Sequence, residues 1–71
     1  MAEIPNAPVK RLLIEGAGGL RISGPALDLA AEHLSSLVRQ VGQLSSEIAA
    51  ADRRKTIKDQ DIAQAWRQMF G

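Results

Sequence analysis

Between Pro25 and Asp52 the chain runs for 28 residues with no further proline and a single glycine, Gly42. Leu27, Leu34, Val41 and Ile48 recur at every seventh position. Ala30, Leu37 and Leu44 follow three places behind the first three. Two apolar positions in each seven form the seam of a helix that lies along another helix. At 1.5 Å per residue such a helix is roughly 42 Å long. A compact globule of this chain length is only about 22–25 Å across. A short helix on each side cannot cover both ends of the seam, so the pattern predicts that it meets a copy of itself.

Chain length leads to the same expectation. Seventy-one residues allow one domain, spanning 1–71. A monomer of this size buries only about 60% of its unfolded surface and needs disulfides, a metal or a partner for stability. The chain has no cysteine and one histidine, His33, too few ligands for a zinc site. Oligomerisation remains, and no cofactor is called for.

Two short helices flank the long one. Pro8 suits a first helical position, with Asn6 or Ala7 as its cap, and Val9, Leu12 and Leu13 mark one apolar face. The cluster Gly16-Ala17-Gly18-Gly19 ends that helix. Ser23 or Gly24 caps the long helix, with Pro25 in its first turn. Lys58 or Asp59 starts the last helix, whose apolar positions are Ile62, Ala65, Trp66 and Met69. Asp59 and Asp61 favour its positive end. The links Arg21-Ile22-Ser23 and Lys55-Thr56-Ile57 carry β-branched residues that could pair as a very short two-stranded sheet.

The net charge is only +1, but its distribution matters more than its sum. Seven of the nine bases lie near the two links: Lys10, Arg11, Arg21, Arg53, Arg54, Lys55 and Lys58. The long helix is acidic, with Glu32, Glu47 and Asp52 read as a solvated face. A stiff basic loop followed by an acidic helix start holds cations in fixed geometry. One basic edge can bind a polyanion despite a near-neutral total.

The residues then resemble an archaeal histone over nearly the whole chain. Arg54-Lys55-Thr56-Ile57-Lys58, followed by Asp61-Ile62 and Ala65, is the specific part. Ile4-Pro5, Ala7-Pro8, Arg11, Ala17-Gly18, Arg21-Ile22-Ser23 and Ala26 resemble that family's first helix and first loop. The resemblance implies an all-α histone fold, short helix, long helix, short helix, in an intertwined handshake dimer. Its seam is Leu27, Leu34, Leu37, Val41, Leu44 and Ile48. The first loop of one chain pairs with the second loop of the other, so Ile57 meets Ile22 of the partner subunit.

The function so implied is architectural: binding, bending and compacting double-stranded DNA with little sequence specificity. Arg11 matches the arginine that enters the minor groove, and Thr56 the threonine that braces it. Arg21 and Lys55 match residues that meet phosphates, and Lys58 adds to the field. Arg54 and Asp61 match an intrachain ion pair that shapes the second loop. An arginine in a narrowed groove reads width and potential, while phosphate contacts position the duplex without reading sequence. Helix N-termini near Ala7-Pro8 and Ser23 add backbone donors.

The chain departs from the family pattern at several places. One extra residue lies within residues 16–20, and Ile14 stands where a lysine is common. Ala51 replaces a histidine that pairs across dimers with the aspartate matching Asp61. Gln64 replaces an apolar residue at the same contact, while Ile48 keeps its character. The expected partners are therefore DNA and a second chain, as a homodimer or as a heterodimer with another histone-fold chain. Ile48, Ala51, Asp61 and Gln64 mark the surface where dimers would stack into tetramers or filaments.

The alternative function is a histone-fold dimerisation module of a transcription or chromatin complex with little direct DNA binding. Catalysis is not expected: His33 has no nucleophile and acid placed around it as a triad requires. The glycine cluster lacks the Lys-Ser/Thr of a phosphate loop. Trp66 and Phe70, four apart, are expected to pack in a core or interface rather than stack on bases. No small-molecule substrate is implied. No apolar run approaches the roughly 20 residues needed to span a bilayer, and no secretory leader is evident. The expected location is cytoplasmic, on the chromosome (nucleoid).

Overall fold

The computed structural model describes residues 4–71 as three helices: α1 (Asn6–Ala17), α2 (Gly24–Ala51) and α3 (Asp59–Phe70). No strand occurs among the described residues of the single chain, so the sheet pairing expected of the two links is not formed within it. Among the described residues no helix is long and apolar enough to cross a membrane. The chain packs as two units that divide inside α2, between Ser36 and Leu37.

In the first unit α1 begins at Asn6, two residues before Pro8. Pro8 is tolerated there because the first helical N–H groups have no intrahelical partner to lose. Asn6 does not cap the helix. Its side-chain amide donates instead to Asp28 Oδ1 at 3.1 Å, tying α1 to the first turns of α2. Gly18 closes α1 in the left-handed conformation at φ 65°, a backbone that a Cβ would strain even with open space around it. The Ser23 hydroxyl accepts from the Ala26 N–H at 3.2 Å and so caps α2. Val9 and Ala31 are buried. Buried Ser35 is satisfied within its own helix, donating to the Ala31 carbonyl at 2.9 Å.

In the second unit the buried side chains are small: Ser45, Ala49 and Ala65, together with the carboxylate of Asp61. The Ser45 hydroxyl reaches the Asp61 backbone carbonyl at 3.5 Å, which records how closely α3 approaches α2. Among the described residues no buried side-chain polar atom lacks a partner.

Among the described residues the buried apolar side chains are thus one valine and three alanines: Val9, Ala31, Ala49 and Ala65. All six large seam residues, Leu27, Leu34, Leu37, Val41, Leu44 and Ile48, are half-buried and none reaches the core. Trp66 and Phe70 stack at 4.5 Å between centroids with a 48° tilt, yet they are 49% and 58% exposed. They do not enter the core of their own chain, against that part of the expectation.

Candidate nucleic-acid interface

The second loop starts from a helix end built without glycine. No glycine, proline or asparagine occurs from residue 43 to residue 70, yet α2 stops at Ala51. The Arg53 N–H donates to the Ala50 carbonyl and the Arg54 N–H to the Ala49 carbonyl, each at 2.9 Å. These are the paired bonds of a Schellman ending, which places one residue in the left-handed region. That residue is Arg53, at φ 59°, the only non-glycine with positive φ among the described residues.

Arg54 comes next and its guanidinium is almost fully engaged. Nη2 and Nη1 donate to Asp61 Oδ1 and Oδ2 at 2.6 and 2.7 Å. Nε donates to Asp52 Oδ2 at 3.0 Å, and Nη1 also reaches the Thr56 carbonyl at 3.3 Å. The planar fork of arginine fits this two-point grip on a carboxylate. Asp61 also accepts from the Lys58 N–H at 2.9 Å, so one carboxylate ties the loop to the start of α3. The Arg54 hydrogen bonds, then the Lys58 N–H, hold the Asp61 carboxyl down at about 2, against an ordinary 3.8. Hydrogen bonds to Asp61 and then Asp52 hold Arg54 above its ordinary value.

This network divides the basic loop. Arg54 is taken up inside the protein, while Arg53, Lys55, Thr56 and Lys58 are exposed. In the other unit Arg11, on α1, and Arg21, in the first link, are exposed as well. The structure thus brings Arg54 and Asp61 together, with Lys55, Thr56 and Lys58 on the same loop. Arg11 and Arg21 belong to the first unit. Ile48, Ala51, Asp61 and Gln64 line one concave surface of about 610 Å³ formed by the end of α2 and by α3.

Two features of the site are not expected from sequence pattern. Asp52, taken as part of a solvated face, is the second carboxylate on Arg54. Arg53 carries no role of its own in the sequence, although a long helix stopping without glycine already signals an L-residue in a left-handed position.

Comparisons with known proteins give a consistent result. A family model described as "Histone-like transcription factor (CBF/NF-Y) and archaeal histone" matches residues 2–66. The chain is 42% identical to a chain of the archaeal histone HAN1 of Thermococcus zilligii over 65 residues, 92% of this chain and 96% of that protein. It is 37% identical over 67 residues to a Methanocaldococcus jannaschii protein named "Probable archaeal histone 3", covering 94% of this chain and 98% of the relative. No solved structure matches the chain.

Proposed function

The chain belongs to the family of histone-like transcription factors and archaeal histones, and on that premise we propose that it acts as an archaeal histone. It is an architectural protein of the chromosome that binds duplex DNA as a dimer, bends it and compacts it with little sequence selectivity. The whole chain serves as one histone-fold domain, and no catalytic step is part of the role.

The half-buried seam supports the dimer. All six large seam residues of α2 keep part of their surface open in the single chain, apolar area of the kind a second helix covers. The observation that carries the DNA reading is the Arg54–Asp61 clamp. It fixes a loop whose Lys55 and Thr56 are left exposed, in a chain matched to the family over residues 2–66. In the dimer these residues join Arg11 and Arg21 of the partner subunit. Arg11 enters the minor groove, braced by Thr56; Arg21 and Lys55 meet phosphates; Lys58 strengthens the field.

Salt titration of binding to a duplex of arbitrary sequence tests this. Six cations per dimer, from Arg11, Arg21 and Lys55 twice over, give a log–log slope of roughly −5 or steeper. Salt-insensitive binding, or no binding at low salt, overturns the reading and favours a dimerisation module. Ile48, Ala51, Asp61 and Gln64 form the dimer–dimer surface. With Ala51 and Gln64 in it, that surface offers little to hold dimers together.

A further inference from the structure

We propose that Arg53 is a further DNA-backbone contact, held at the end of α2 despite a cost to that helix end. The inference deepens the DNA-binding reading and rests on it. The left-handed position of a Schellman ending is the one at which glycine is favoured, because a Cβ crowds the backbone there. Arg53 occupies it at φ 59°. Backbone held in a sparsely populated region is a mark of functional positions when nothing local accounts for it.

Local explanations fall short. Arg53 is exposed, and no hydrogen bond or ion pair engages its side chain among the described residues. Its neighbour Arg54 is gripped by Asp52 and Asp61, so it is Arg54, not Arg53, that shapes the loop. A cation near the negative end of α2 is favourable. An arginine at Ala50 or Ala51 would supply that with ordinary helical backbone, and the last turn of α2 holds no base. What the left-handed site adds is position. Two backbone bonds fix the root of Arg53, two residues from Lys55 on the same loop. A cation rooted rigidly beside a phosphate-facing lysine suits a second phosphate of the same strand.

The full-length chain is compared with Arg53→Gly and Arg53→Lys, using duplex DNA between 50 and 200 mM monovalent salt. Arg53→Gly removes two phosphate contacts per dimer, so its slope falls by about 1.8 and the affinity ratio of wild type to variant shrinks about twelvefold across that fourfold salt range. Arg53→Lys keeps the wild-type slope. The thermal midpoint of Arg53→Gly rises while its DNA affinity falls, a divergence that a merely structural arginine would not produce. An Arg53→Gly variant with wild-type affinity and slope overturns the inference while leaving the DNA-binding reading intact. Wild-type chain that fails to bind at 50 mM overturns both.

Discussion

Asp61 is 1% exposed and carries a full negative charge, a combination that survives only because Arg54 and the Lys58 N–H face it. Its stability contribution therefore depends on pH with a definite sign. Between pH 3.8 and about 2 the unfolded chain binds a proton here that the folded chain refuses. Stability accordingly rises with pH across that window, is complete above it, and is lost as pH falls through about 2. In thermal melts the gap between wild type and Asp61→Asn should be widest near neutrality and close toward pH 2. A pH-independent gap contradicts the assignment. Arg54→Ala should melt lower than Arg54→Lys, and both lower than wild type, because lysine keeps the charge but not the fork. Equal midpoints for the three would remove Arg54 from its loop-shaping role. Arg53→Gly should move the other way by about 1 kcal/mol, or about 4–8 °C for a domain of this size. From sequence, side-chain type shows which residues are charged, but not which charges are consumed. Residue type alone does not separate Arg53, Arg54 and Lys55; the family resemblance singled out Arg54 as the partner of Asp61, and the structure shows that grip with Arg53 and Lys55 left outside.

At the scale of elements, α2 was the most legible part of the chain. Its seven-residue repeat is long, and Ser23 and the glycines mark its start chemically. Its far end fell within one residue of Asp52, although the left-handed turn at Arg53 that makes the stop was not foreseen. The start of α1 did shift: Pro8 is compatible with more than one place in a first turn, and Asn6 found Asp28 as a partner instead of an N–H group. The repeat also predicted that short flanking helices cannot cover the seam, and the single chain does leave all six of its large residues half-buried. Leu37→Ala should therefore weaken the dimer, and with it the fold, by about 2–5 kcal/mol per site, present twice in a homodimer. Gln40→Ala, on exposed surface of the same helix, should stay within about 0.5 kcal/mol. Chemical denaturation at two protein concentrations reads both, since the midpoint of an obligate dimer rises with concentration. A midpoint that ignores concentration would mean that the seam is covered within one chain.

For the whole molecule, the reading proposed above places assembly beyond the dimer on the concave surface between α2 and α3. Ile48 is apolar there, but Ala51 offers no charge and Gln64 offers an amide where the family resemblance implies an apolar side chain. Asp61, the acceptor that a facing histidine would need, already accepts from Arg54 through both oxygens. Free protein should therefore sediment as a dimer of about 15 kDa, twice the 7.6 kDa chain, with no tetramer at micromolar concentration. Restoring the missing partner tests the cause. Ala51→His returns an imidazole to the concave surface that Asp61 also lines, and Gln64→Leu returns an apolar side chain to it. The double variant should shift toward tetramer. Each single variant should shift less, because a charged contact without apolar cover is screened by water. If wild type is already tetrameric, Ala51 and Gln64 do not limit stacking. If the double variant remains dimeric, the grip of Arg54 on Asp61 is what closes the surface to a second dimer, and filament growth on DNA would then have to proceed through DNA-mediated contacts alone.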